Sequence, residues 1–467
     1  MKDLILLFED YAHKIAYLFN VINSNFIITA ILGVSMLSIL QGKIIFLNNP
    51  ILVIFYILFL YFLLSRINFF PYFLISTPFL LYLFINMEGF EYSVALSLLA
   101  INFVLFFITQ IPNYYLPYLI ASRGKIKILF KIFLNSLVTI GPTNSSLIIC
   151  LFFSTLLSWS IYFQPNPIKD VYASLFLLEL VIFSLLTKLL LPKTYQSPTF
   201  LPKNNKALTK RVIYLNIDGT RLDKTEEAKM PFLNKLKKEG VYFKNGARSV
   251  YPALTNPAFM SILTGTTPQV HNVINNNFKR RYKIEALPDI IKTSSYGNIH
   301  LEDISKSKWD INIFPVAKYG FNLDEELFKK LKEDLLNKNS KLFVADISLV
   351  DMVGHAYGCY TKEYLQALNE VDKKLEDFFN FLRKNKLLND TTVIISSDHG
   401  QAIFDHGYTL SKKEAEVPLV MFGKGIKKNK VLDFVPSILD LAPTICYLLG
   451  KKHLSSAKGK VLIEALN

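Results

Sequence analysis

Charge is divided so unequally along this chain that its two parts cannot share one kind of core. Of the 52 Lys and Arg and the 37 Asp and Glu, residues 1–200 hold 11 and 7, and the rest fall in 201–467. The first part is as poor in charge as a membrane protein, and the second carries the mixed charge of a water-facing globule. A length of 467 residues leaves room for two or three domains.

Apolar runs near 25–41, 47–65, 69–87, 92–111, 145–163 and 171–191 reach or approach the ~20 residues that a bilayer core requires. The expectation is a polytopic α-helical bundle of about six spans over 1–191. The opening MKDLILLFEDYAHKIAYLF, with Asp3, Glu9, Asp10 and Lys14, reads as an amphipathic surface helix rather than a cleaved signal. Arg123, Lys125, Lys127 and Lys131 make 112–144 a segment that lies along the headgroups or re-enters the bilayer. Glu179, inside the last run, marks either a helix–helix contact or a tilt toward an interface. Basic residues gather at the N-terminus, at Arg66, in the long loop and after 187, whereas the alternate loops have only Lys43 and Lys169. The positive-inside rule then places both termini in the cytoplasm.

Pro192, Pro198 and Pro202 break a polar linker over 192–210. From 211 to 467 the pattern changes to short apolar runs alternating with helical ones. RVIYLNID, KLFVADISLV, TTVIISSD and VPLVMFGKG read as strands, and KEYLQALNEVDKKLEDFFNFLRKN as a long amphipathic helix. This alternation predicts an α/β domain whose sheet is mainly parallel, with ligands bound beyond the carboxyl ends of its strands. Cys150, Cys359 and Cys446 are too scattered for a disulfide framework or a CxxC metal motif. The net charge of +15 is spread through helical stretches without interleaved aromatics, which excludes nucleic-acid binding as the main role.

Metal-ligand residue types collect at the predicted strand ends. Asp218 closes the first strand, Asp351 and His355 lie four apart in SLVDMVGHAYG, Asp398 and His399 close TTVIISSDHG, and His406 follows. Asp and His together suit zinc or a similar divalent ion, and two groups of ligands imply two ions flanking a phosphoryl centre. Thr255 is the candidate nucleophile: with Pro257 behind it and Gly265 at the end of an apolar run, it reads as the N-cap of a short helix. A helix start favours both an alkoxide and a phosphate oxygen.

The series NIDGTR, YPALTNPAFMSILTGTTPQVHNV, DMVGHAYG, SSDHG and VPLVMFGKGI with FVPSILDLAPTICYLLG resembles the alkaline phosphatase superfamily over about 210–450, and most of all its type I phosphodiesterase/nucleotide pyrophosphatase branch. The resemblance implies an alkaline-phosphatase-like α/β fold, a Thr nucleophile and two zinc ions, with manganese the other candidate metal. It assigns Asp218, Thr255, Asp398 and His399 to one ion, and Asp351, His355 and His406 to the other. The HG…E…VPL spacing after His406 is similar to the sulfatase-like and phosphoethanolamine transferase branches. Asn256 is the expected donor to a substrate oxygen, and Asn275 and Asn276 read as loop residues near the site. The layout of a multi-span bundle before this fold is similar to lipid-A phosphoethanolamine transferases and lipoteichoic acid synthases, which work outside the membrane, opposite to the charge count. The expected function is a membrane-embedded, metal-dependent phosphodiesterase or phosphatase acting on a lipid-, glycan- or nucleotide-linked phosphoester; the alternative is a transferase that passes a phospho-group from a phospholipid to a lipid or glycan acceptor.

Overall fold

The computed structural model describes residues 22–42, 92–110, 154, 155, 158 and 162, and the chain from 206 to 467 apart from 274–275, 277–281, 283, 403–405 and 408–411. The chain forms two compact units.

In the N-terminal unit, α1 (Ile22–Leu40) and α2 (Tyr92–Gln110) occupy two of the expected apolar runs and pack on each other. Asn102 Nδ2 donates to Ser158 Oγ at 3.0 Å, and that hydroxyl donates to the Ala30 carbonyl at 3.0 Å, so the contact is tied by polar as well as apolar groups. Among the described residues no helix is long and apolar enough to cross a membrane, which leaves the expected transmembrane bundle without support there. The other runs, the opening helix, the 112–144 segment, Glu179 and Cys150 lie wholly or largely outside the described residues.

The second unit is built on a sheet whose central strands are buried on both faces. Among the described residues its strands are β1 (Arg211–Ile217), β2 (Val241–Phe243), β3 (Ala247–Arg248), β4 (Thr293–Gly297), β5 (Asp310–Ile313), β6 (Leu342–Ile347), β7 (Thr391–Ser396), β8 (Glu416–Val417), β9 (Leu419–Gly423) and β10 (Lys430–Leu432). Eight of them form one sheet in the order β10-β2-β9-β7-β1-β6-β4-β5, and β3 pairs with β8. The main helices are α3 (Pro231–Glu239), α4 (Thr255–Thr264), α5 (Leu323–Asn337), α6 (Leu349–Tyr357), α7 (Lys362–Lys384) and α8 (Leu441–Leu448). Successive side chains of β1 serve opposite cores. Val212 and Tyr214 join α4 and α8, while Ile213, Leu215 and Ile217 join α3, α5 and α7. This explains why RVIYLNID is apolar almost throughout instead of alternating with polar residues.

The prediction of a mainly parallel sheet holds, with one exception. β7, β1, β6, β4 and β5 run parallel, as does β10 with β2, but β9 is antiparallel to both β7 and β2. Among the described residues between β7 and β9 the helix is the four-residue Lys412–Ala415, too short to return the chain to the other end of the sheet, and β9 runs back along β7.

Two helices decide how the site is held. α7 presents Tyr364, Leu368, Val371, Leu375, Phe378, Phe379 and Leu382 on one buried stripe, and Thr361 caps it by accepting from Tyr364 N–H at 3.4 Å. α6 begins directly after β6, and its start is capped from outside. Asp324, in the first turn of α5, accepts from Ser348 N–H at 3.0 Å and Leu349 N–H at 3.1 Å. Replacing Asp324 by Ala leaves both amides buried and unpaired, so Asp324→Ala is expected to cost about 2 kcal/mol in a urea unfolding titration. Asp377→Ala, at an exposed ion pair with Lys332, should stay within about 0.5 kcal/mol of the parent.

Candidate active site

Because β7, β1 and β6 are neighbours and parallel, their carboxyl ends open at one edge of the sheet. Asp218 follows β1, Asp351 and His355 sit in the first and last turns of α6, and Asp398 and His399 follow β7. His406 arrives by a loop, with Nδ1 at 2.8 Å from the Ala253 carbonyl. Thr255 comes from α4. It is not the N-cap that its sequence suggests: Leu254 holds that place in an extended conformation, and Thr255 is the first helical residue. Its hydroxyl therefore has no capping duty and lies 3.2 Å from His399 Nε2. Gly265 ends the helix in the left-handed conformation, as expected.

The structure brings all seven predicted residues into one cluster. His399 Nε2 is 3.3 Å from Asp218 Oδ1 and 3.5 Å from Asp398 Oδ2. His355 Nε2 is 3.3 Å from Asp351 Oδ2, and His406 Nε2 is 3.2 Å from His355 Nε2 and 3.6 Å from Asp351 Oδ1. The rings of His399 and His406 stack with centroids 3.7 Å apart. Two sets of donor atoms converge closely enough to hold a cation: Asp351, His355 and His406, and Asp218, Asp351 and His399. The resemblance assigns Asp351 to one ion only, but the carboxylate reaches both sets. Gly219, at φ +68°, permits this, because a Cβ there would lie 2.6 Å from Asp351 Oδ1.

The proton positions fit metal binding. His399 Nδ1–H faces the Gly400 carbonyl at 3.0 Å, so the Nε2 lone pair points at Thr255, Asp218 and Asp398. His406 Nδ1–H likewise donates to Ala253, which turns its Nε2 lone pair toward His355. A lone pair aimed at carboxylate oxygens is repulsive unless a proton or a metal cation lies between them, and the convergence of several such groups fits the metal. Asp218 Oδ1 and Asp398 Oδ2 are buried and accept no hydrogen bond among the described residues, so both fit a divalent ion.

The electrostatics agree. Burial, then the charge of Asp398, pushes Asp218 well above the carboxylate range. Burial likewise raises Asp398 to about 6. Burial would raise Asp351 too, but His355 and His406 outweigh it and hold that group low. Burial holds the His399 imidazole at about 4, neutral at physiological pH and suited to ligation.

The loops bearing these groups are braced from behind. Tyr364 Oη donates to the Gly219 carbonyl at 2.6 Å and accepts from Arg221 N–H at 3.3 Å. The buried Arg221 guanidinium makes a bidentate pair with Asp223 and donates to Cys359 Sγ at 3.1 Å. Ser397 Oγ accepts from Thr220 N–H and donates to the His399 carbonyl, stitching the first and third loops together.

Two residues beside Thr255 extend the site. Asn256 is 1% exposed, and both polar atoms of its amide are without a hydrogen-bond partner among the described residues. Asn276, read from sequence as a loop residue, accepts from the Asn256 backbone N–H at 2.9 Å and so stands at the head of α4. Its loop follows His271, whose Nδ1 accepts from Val273 N–H, leaving Nε2–H to donate to Ser261 Oγ at 3.0 Å. Ser261 passes its own proton to the Pro257 carbonyl at 2.8 Å. This buried pair is a tie between loop and helix, not a nucleophile. Burial depresses His271 from 6.5 to about 3. The folded chain thus stays neutral there while the unfolded chain takes up a proton, so the stabilisation is complete above pH 6.5 and lost as pH falls toward 3. At pH 5 the loss from this residue is about 2 kcal/mol. Denaturation midpoints of His271→Gln should accordingly fall less between pH 6.5 and 5 than those of the parent.

The Sulfatase family model matches residues 214–451, just over half of the chain and all seven cluster residues. The chain belongs to the Sulfatase family. The expected alkaline-phosphatase-like character of its second unit agrees with that membership. This sulfatase-family chain is 27% identical over 217 residues to an uncharacterized pyrophosphatase/phosphodiesterase of Schizosaccharomyces pombe, covering 41% of this chain and 44% of that protein. It is 24% identical over 297 residues to lipoteichoic acid synthase 2 of Bacillus subtilis, covering 52% of this chain and 46% of that one. The chain spans less than half the length of these two relatives. Among solved structures it matches murine ectonucleotide pyrophosphatase/phosphodiesterase 5, in an inactive form complexed with AMP, at 15% identity and a TM-score of 0.48, covering 55% of this chain and all of that one.

Proposed function

We propose that this sulfatase-family chain is a metal-dependent phosphodiesterase or phosphatase in which Thr255 is the nucleophile. The observation that carries this reading is the Thr255 hydroxyl at 3.2 Å from His399 Nε2, at the head of α4 and beside two donor sets suited to divalent ions. Asp218, Asp398 and His399 lie on the Thr255 side, Asp351, His355 and His406 on the other, and Asp351 serves both. A pair of divalent ions, zinc by ligand type, would supply electrostatic stabilisation of the Thr255 alkoxide and of the phosphoryl oxygens.

Thr255 Oγ1 attacks phosphorus, forming an O–P bond to the chain while the ester bond to the leaving alcohol breaks. Asn256 and the Asn276 amide stand where a non-bridging oxygen meets the helix start, and the α4 dipole favours its charge. Water then cleaves the phospho-threonine and regenerates the hydroxyl.

A transferase is the second reading, favoured by the larger share of the chain, 52%, that aligns with a lipoteichoic acid synthase. There an acceptor hydroxyl replaces water in the second step. The low charge of residues 1–200 supports a membrane domain over 1–191, a linker over 192–210 and a catalytic domain over 211–467, acting on a lipid-linked phosphoester at the bilayer surface.

The purified chain should contain about two zinc equivalents per polypeptide and hydrolyse bis-p-nitrophenyl phosphate. Thr255→Ala is expected to lower kcat at least ~10³-fold while retaining most of the metal. Full activity in that variant would refute the nucleophile, and wild-type activity that survives complete chelation would refute the metal requirement.

A further inference from the structure

The Asp351 carboxylate is the one group common to both donor sets, and its orientation is not left to the metals alone. Gln401, two residues beyond His399, is fully buried and donates through Nε2 to Asp351 Oδ1 at 2.6 Å and to the Asp351 backbone carbonyl at 3.1 Å. A single amide nitrogen thus brackets both acceptors of one residue. The orientation of the amide is set by chemistry: turned over, its oxygen would face a carboxylate and a carbonyl at the same distances, with no proton between them.

The backbone makes room for this contact. Gln401 lies across α6 at Gly354, where an added Cβ would sit 1.7 Å from Gln401 Oε1. On the opposite side Gly219 leaves the space into which Asp351 Oδ1 reaches. Asp351 is therefore gripped between a glycine loop and an amide, with Oδ2 turned to His355 and Oδ1 to His406. The backbone carbonyl of Gln401 also lies 3.7 Å from Cys359 Sγ, which binds Arg221, so the bracket belongs to the frame that braces the Asp218 loop.

We infer that Gln401 is a positioning residue: it fixes the plane of the Asp351 carboxylate, the one ligand that both donor sets share. Gly354 is the small residue that lets it do so. Without the amide, Asp351 is free to rotate about χ2, and its carboxylate is no longer held where both donor sets can use it. The inference rests on the proposal that both donor sets hold metal.

The experiment is an equilibrium zinc titration of the full-length wild type and Gln401→Met against a chromophoric chelator, with thermal unfolding of the metal-free proteins alongside. Methionine keeps the volume and removes the donor. Zinc affinity at one or both sites should fall about 10–100-fold, the usual scale for losing a partner of a metal ligand, while the metal-free midpoint moves little. A residue that only packs would give the reverse pattern: a lower metal-free midpoint and unchanged affinity in the folded fraction. Gly354→Ala, which leaves the amide but takes its space, should weaken zinc in the same direction, and it decides the question if Gln401→Met does not fold. Zinc binding within twofold of wild type in the folded variant overturns the inference. A wild type that binds no zinc would instead refute the metal-centre proposal, so the two failures are distinct.

Discussion

Two buried carboxylates, Asp218 and Asp398, and the half-buried Asp351 converge at one edge of the sheet, and the groups facing them are imidazoles. Such a cluster cannot ionise fully in a protein interior unless positive charge enters it. Most of the second unit can be understood as the means of holding that unfavourable arrangement in place. Three adjacent parallel strands deliver the acids to a single edge, and two helices capped at their starts keep the following turns from relaxing. In the proposed metal-bound form, the same frustration that costs stability in the metal-free chain would become affinity for divalent ions.

The bracing has an evident logic. Each loop carrying ligands is fastened to a different part of the scaffold: the first through Tyr364 to α7, the second through Asp324 to α5, and the third through Ser397 back to the first. A metal pair needs its ligands held to a fraction of an ångström, and hydrogen bonds from rigid elements provide that better than surface loops do. Thr255 gains from the same economy. As the first helical residue it keeps its hydroxyl clear of capping, facing His399 Nε2 at the positive end of the α4 dipole.

What could be read from the sequence was whatever depends on local pattern. The doubly buried strands, the amphipathic stripe of α7 and the Asp and His residues at strand ends all follow from periodicity and residue type. Three features lay beyond that reach. The role of Leu254 rather than Thr255 as N-cap depends on backbone angles that either residue could adopt. Asn276 and Gln401 lie 20 and 50 residues along the chain from the groups they touch, so pattern alone does not give their contacts, although the loop of Asn276 reads as near the site and Gln401 directly follows SSDHG. The antiparallel turn of β9 follows from the path of the chain around the site, which no run of apolar residues encodes. The expected spans of the first part rested on apolar length alone, and neither described helix there reaches the length and apolarity that a crossing demands.

The central claim is that Thr255 takes the phosphoryl group onto itself, and rapid-quench mass spectrometry during turnover tests it most directly. Acid-quenched wild-type chain, digested after milliseconds with an activated phosphodiester, should carry a phospho-adduct on the Thr255 hydroxyl that rises before product release and is absent from Thr255→Ala. Turnover with no adduct on Thr255, or with the adduct on another residue, would contradict the account.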